Sequence, residues 1–118
     1  MSSSYGKEGE EIAVSYLISK GYQIIERNWR FGKEEVDIIA IYEDELVFAE
    51  VKTRTNAYLG NPEEAVTLAK QKSIIRVAAQ FVEQSSEERE VRFDIIAIIR
   101  NSEKEEITHI KEAFSPQW

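Results

Sequence analysis

Cysteine is absent from the chain, so no disulfide and no thiolate metal site can form. That suits a reducing compartment. Histidine is nearly absent. His109 stands alone, which excludes a multi-histidine metal centre and a histidine-activated nucleophile elsewhere. No uninterrupted apolar run approaches the roughly 20 residues that span a bilayer. The opening MSSSYGKEGEE has no apolar stretch of signal-peptide length. No repeat, low-complexity segment or linker divides the chain. These absences lead us to expect a cytoplasmic protein, no membrane partner, and one domain over residues 1–118. With 42% hydrophobic and 31% charged residues, the composition is that of a folded globular protein.

Net positive charge is also lacking. The formal charge is −7, which by itself argues against nucleic-acid binding, because phosphate contacts dominate such affinity. The distribution is uneven, however. Between Lys20 and Lys33 four basic residues face Glu26 alone, and between Val66 and Val82 stand Lys70, Lys72 and Arg76 without an acid. From Glu83 to Glu106 acids outnumber bases eight to four. A local basic surface on an acidic protein is compatible with this pattern.

What the chain does have is periodicity. Ile12, Ala13, Tyr16 and Leu17 fall at helical spacing and Gly21 is a stop signal, so a helix is expected over about 7–20. Strands are expected at 22–30, 35–42, 45–53 and 91–99, with a weaker edge segment at 105–114. TNAYLGNPEE reads as a loop. A second helix is expected over about 67–83, with Leu68, Ile75, Ala78 and Val82 facing inward. The order α-β-β-β-α-β describes an α/β domain with a mixed sheet flanked by helices. Coverage of both faces explains why the later strands are nearly continuous apolar runs.

Three charges interrupt those runs in VDIIAIYEDELVFAEVKTR: Asp37, Glu50 and Lys52. A tight turn at Glu43-Asp44 puts Tyr42 opposite Glu45, Ile41 opposite Leu46, Ile39 opposite Phe48 and Asp37 opposite Glu50. A slip of one residue would match charge and size worse. Lys52 shares the face of Glu50. Two carboxylates with Cβ atoms about 5 Å apart destabilise a sheet unless a positive charge joins them. Lys52 can supply it, and so can a divalent cation. Mg²⁺ takes one or two carboxylates and fills its other positions with water and phosphate oxygens. A lysine beside it can orient water or offset developing charge. The alternative is a buried Glu50–Lys52 or Asp37–Lys52 ion pair without chemistry.

Asp37 followed by Glu50-Val51-Lys52 resembles the signature of the PD-(D/E)XK nucleases. The whole chain resembles the YraN family of small bacterial proteins, itself similar to archaeal Holliday-junction resolvases. The matching pieces are GKEGEEIAVSYLISKGYQIIERNWR, EVDIIA, LVFAEVKTR, LGNPEEAV with KQK after it, RFDIIAI and IKEAF. One departure is Glu34, where the family's turn has glycine before the acidic residue. The resemblance implies a restriction-endonuclease-like fold and a Mg²⁺- or Mn²⁺-dependent endonuclease acting on DNA. It implies that Asp37, Glu50 and the Val51 carbonyl ligate the metal. Lys52 would position water, and Glu10 would be a third acid. Resolvase-like enzymes act as dimers, which implies a homodimer.

The residues themselves add to this. Glu10 lies on the inward stripe with Ala13 and Leu17, although an acid near a helix N-terminus also favours the dipole. Glu11 is expected to face water. Gln71 shares a stripe with Leu68 and Ile75 and can reach the site. Arg54, Lys70, Lys72 and Arg76 are candidate phosphate contacts, each with a solvated surface charge as the alternative. Trp29 and Trp118 can stack on bases, but packing is the expected role. Asp94 is read as structural, holding Arg92 or a backbone amide. His109 is assigned no role. Two other functions stay open: a non-catalytic nucleic-acid-binding module, and a protein-interaction domain using the acidic C-terminal half.

Overall fold

A computed structural model describes residues 4–55 and 66–116 of the chain. The loop beyond Thr55 and the Trp118 side chain lie outside the described residues. The elements are α1 (Ser4–Ser19), β1 (Gln23–Phe31), β2 (Glu34–Tyr42), β3 (Glu45–Arg54), α2 (Leu68–Ser85), β4 (Glu90–Arg100) and β5 (Glu105–Phe114). The α-β-β-β-α-β order is therefore present, and the weaker segment is a full edge strand. The sheet runs β1-β2-β3-β4-β5. β1, β2 and β3 form an antiparallel meander, β3 and β4 are parallel, and β5 returns antiparallel. A parallel pair needs a long crossover, and α2 lies within it. Among the described residues, no helix is long and apolar enough to cross a membrane.

Each helix covers one face. On the α1 side, Ala13 and Leu17 pack with Ile38, Ala40, Val47 and Ile96, all fully buried or nearly so. On the α2 side, Ile74, Val77 and Ala78 pack with Val36, Ile39, Phe48 and Phe93. Trp29 belongs to this second core, edge-on to Phe81 with ring centroids 5.2 Å apart, so packing is its role.

Local signals explain the boundaries. Gly21 takes φ +94 after α1, and its N–H donates to the Ile18 carbonyl. That left-handed conformation is easy only for glycine. Thr67 caps α2 by accepting the Lys70 N–H, and Ser86 closes it in the left-handed region. One inward assignment fails. Leu68 is 60% exposed, whereas Val66, just before the cap, is buried. Within α2 the buried residues begin at Ile74, while Lys70 in the first turn reaches to Glu50 on β3.

Gly9 sets how closely α1 approaches β3. A Cβ there would lie 2.0 Å from Thr53 Oγ1 and 3.2 Å from Thr53 Cβ. Rotating so short a side chain does not clear the space, so any larger residue pushes the helix outward.

One buried acid is fully served. Asp94 accepts from Arg92 at 2.9 and 2.8 Å and from the Glu112 N–H at 3.2 Å. The Nε2 of His109 lies 2.6 Å from the same carboxylate, while its Nδ1 lies 3.1 Å from the Tyr16 hydroxyl. His109 thus has a structural role that its sequence position did not reveal. Arg92 also donates to Tyr22 and Glu45. Burial alone would raise the Asp94 pKa, but the bonds from His109 and Arg92 and the Arg92 charge outweigh it and hold the carboxyl below its ordinary value. Asp94 ties β4 to β5, as a structural reading required.

Two outcomes are expected in urea denaturation. Asp94→Ala leaves Arg92 buried with a weakened counter-charge and should cost about 3 kcal/mol or more. Gly9→Ala should cost about 1–3 kcal/mol through overpacking.

Candidate metal centre at the end of the central hairpin

The β2–β3 hairpin has the expected register from Tyr42↔Glu45 through Ile39↔Phe48 to Ile38↔Ala49. Glu43 takes φ +54 in the connecting turn, as a primed hairpin turn demands. Asp37 and Glu50 do not continue the ladder, which ends one pair earlier than expected. The cause is the Asp37 side chain. Its Oδ2 accepts the Val51 N–H at 2.8 Å, so a carboxylate serves a donor that a continuing strand would have served. Val51 is therefore drawn to Asp37 through its amide.

Glu50 follows on β3 and is only 3% exposed. Its Oε2 lies 3.5 Å from the Lys70 ammonium on α2. Its Oε1 is buried without a hydrogen-bond partner. Burial pushes the Glu50 carboxyl up to about 8, reinforced by the charge of Asp37 and a hydrogen bond shared with it, and opposed by Lys70 and Lys52. Lys52 is half-buried on the same strand. Its charge reaches Glu50, but among the described residues no ion pair joins it to Asp37 or Glu50. The inert ion-pair alternative is thus not formed through Lys52. Lys70, expected to face phosphates, instead supplies the nearest cation to Glu50.

Glu10 approaches from α1, half-buried. The close seat of Gly9 on Thr53 brings it down. Its pKa is raised by burial and then by the charge of Asp37, against a hydrogen bond from Asn28 and the charge of Arg27. Glu11, next to it, is exposed and pairs with Arg27 at 2.6 Å. Beside Glu10 opens a cleft of about 580 Å³ lined by Lys7, Arg27, Asn28, Arg30 and Glu35. Asn28 is a neighbour that no sequence signal pointed to.

The remaining candidates are spread along α2 and the end of β3. Gln71 is half-buried, and its amide donates to the Val66 carbonyl at 3.2 Å. Lys72 is exposed. Arg76 is exposed too, but it forks onto Glu34 with bonds of 2.6 and 3.1 Å. Glu34, the departure from the family's glycine, thus engages one of the candidate phosphate contacts. Arg54 is half-buried at the end of β3.

These residues fit a hard divalent cation. Two carboxylates lie within each other's field, one Glu50 oxygen is buried without a partner, and the candidate donors are all oxygen. Among the described residues no three acids or histidines stand together as a group that could hold a metal ion, so Glu10 does not complete a three-acid set with Asp37 and Glu50 here. Mg²⁺ and Mn²⁺ do not need one, since water and phosphate oxygens complete their shells.

Comparison with known proteins places the chain. The model of Uncharacterised protein family UPF0102 matches residues 9–98. The chain belongs to UPF0102. A UPF0102 protein of Phocaeicola vulgatus is 50% identical over 112 residues, covering 95% of this chain and 93% of the relative. One from Bacteroides thetaiotaomicron is 50% identical over 111 residues, covering 94% and 92%. The expected YraN membership holds, and the PD-(D/E)XK resemblance is consistent with it. Among solved structures, Pyrococcus furiosus SfsA in complex with Ca²⁺ aligns at a TM-score of 0.35 and 13% identity. The alignment covers 91% of this chain and 62% of that one, and so remote a likeness bears on neither site nor chemistry.

The raised Glu50 pKa has a definite sign in this UPF0102 chain. A raised carboxyl favours folding below its ordinary value of 4.5, and that contribution is lost as pH rises through about 8. Metal-free protein should therefore lose stability between about pH 5 and about pH 8, with a slope of up to about 1.4 kcal/mol for each step of one in pH. Glu50→Gln should flatten that slope and stabilise the fold above about pH 8. Urea midpoints across the pH range check both, and an unchanged slope in the variant would refute the assignment.

Proposed function

We infer that this chain is a metal-dependent endonuclease hydrolysing DNA phosphodiester bonds, with branched DNA as its substrate. The observation carrying this reading is the buried, unpartnered Glu50 oxygen beside Asp37. Buried polar atoms are almost always satisfied, and an exception next to a second carboxylate calls for a cation. A Mg²⁺ or Mn²⁺ bound there would polarise the phosphate and lower the pKa of a coordinated water. Asp37 and Glu50 would hold it, with the Val51 carbonyl and Glu10 as further oxygen donors.

The chain's own groups supply the rest. Lys52 stands two residues beyond Glu50 on one strand face. It offers an ammonium to a water or to negative charge developing on the phosphate. Lys70 offsets charge at Glu50. Arg54, Gln71 and Lys72 border the α2 side, where a phosphate chain would pass. Symmetric cutting of a junction needs two active sites, so a homodimer belongs to the proposal.

The binding-module reading is weakened by ion pairing. Such a module depends on cations available to phosphate. Here Arg27, Arg30 and Arg76 are held by Glu11, Glu35 and Glu34 at 2.6, 2.8 and 2.6 Å. With a net charge of −7, little of the surface favours broad electrostatic binding. A compact site using a metal to meet the phosphate avoids that difficulty.

Calorimetric titration of Mg²⁺ and Mn²⁺, paired with cleavage of a four-way DNA junction, tests this. Asp37→Ala and Glu50→Ala should lose metal binding and cleavage together. Lys52→Ala should retain the metal but cut roughly 100-fold more slowly. If wild type binds no divalent ion even with DNA present, the nuclease reading fails and the non-catalytic module replaces it. Cleavage surviving in all three variants would place the activity elsewhere.

A further inference from the structure

Among the described residues, four that are not glycine have positive φ: Asn28, Glu43, Ser86 and Glu112. Three have an evident local cause. Glu43 makes the hairpin turn, and Ser86 ends α2. Glu112 sits where β5 shifts register and gives its N–H to Asp94. Asn28 has no such cause. It lies inside β1 at φ +51, with Arg27↔Ile38 on one side and Trp29↔Val36 on the other. The register is unchanged across it, so Asn28 stands opposite Asp37.

The side chains around Asn28 show what its backbone does. In a regular strand, residues 27 and 29 would share a face. Here Arg27 reaches Glu11 on α1, whereas Trp29 packs against Phe81 on α2. The partner strand changes face at the same level. Ile38 belongs to the α1-side core and Val36 to the α2-side core. Asn28 and Asp37 are the two opposed positions at which both strands reverse their alternation. Asp37 is thereby turned out of the regular pleat, to where it meets the Val51 amide and the field of Glu10. Asn28 also lines the adjoining cleft with Glu10, and its amide favours the charged form of that carboxyl. Left-handed conformations of non-glycine residues persist only where the surroundings fix them, and they cluster at functional sites. Asn tolerates them better than most residues.

We propose that Asn28 is the positioning residue of this site: its left-handed backbone turns Asp37 out of the pleat, and its amide holds the Glu10 carboxylate toward the same cation. The inference rests on reading Asp37, Glu50 and Glu10 as the metal-binding end of the fold. It assigns Asn28 no contact with the reacting phosphate.

Asn28→Gly is the discriminating variant, because glycine accepts φ +51 and loses only the amide. Its thermal midpoint should stay within a few degrees of wild type. Its Mn²⁺ affinity by calorimetry should fall about 10-fold or more, as loss of a ligand's supporting partner does. Glu10→Ala should fall comparably, and the double variant should fall no further, since both changes remove one arrangement. If the glycine change loosens the strand, Asn28→Ala provides the same affinity measurement with a methyl group retained. Wild-type Mn²⁺ affinity in both Asn28 variants, alongside lost binding in Asp37→Ala, overturns the role of Asn28 and leaves the nuclease reading standing. Additive losses in the double variant also overturn it. Absence of Mn²⁺ binding in wild type overturns both.

Discussion

The hydrogen bond from the Val51 amide to the Asp37 carboxylate organises the candidate site at the end of the central hairpin. It replaces a backbone pairing, so β2 and β3 part just beyond Ile38 and Ala49. Where they part, Glu50 and Lys52 emerge on β3 next to an acid from β2. α1 delivers Glu10 from one face, seated by Gly9 on Thr53. α2 delivers Lys70 from the other. A continuous ladder would have closed this opening with ordinary backbone bonds.

Two buried acids in the same sheet show how burial can lead to opposite ends. Asp94 is completely enclosed, yet its carboxyl titrates below the ordinary value, because Arg92, His109 and the Glu112 amide all serve it. Glu50 is almost as enclosed, yet its carboxyl is pushed up to about 8, because burial and the neighbouring Asp37 carboxylate outweigh the opposing charges of Lys70, 3.5 Å away, and Lys52. One arrangement is complete and stabilises the join of β4 and β5. The other is electrostatically incomplete, and incompleteness of this kind marks functional sites.

Much of the site was legible because strand geometry constrains it. Once the turn lay at Glu43-Asp44, the register followed as far as Ile38↔Ala49. The last expected pair, Asp37 with Glu50, does not form, and the two carboxylates are neighbours through their charge instead. The i, i+3 relation of Glu10 and Ala13 likewise placed Glu10 on the inward side of α1. Less was legible along α2. Leu68 fits the stripe by period but is exposed, while Val66 before the cap takes the buried place, and periodicity carries no information about where the chain enters the core. The partners of Arg76 and Lys70 depend on Glu34 and Glu50, which are distant in sequence. His109 looked idle because its partners, Asp94 and Tyr16, come from two other elements.

The sequence by itself determined the order of elements, the apolar faces, the hairpin register and the acidic pair with its lysine. These follow from local periodicity and turn chemistry, which act over a few residues. Tertiary structure alone decided which acid would be satisfied and which left open, which basic side chains would be held in ion pairs, and where Asn28 would reverse the pleat. Those outcomes depend on distances between elements far apart in the chain, where burial and charge compensation are set by packing.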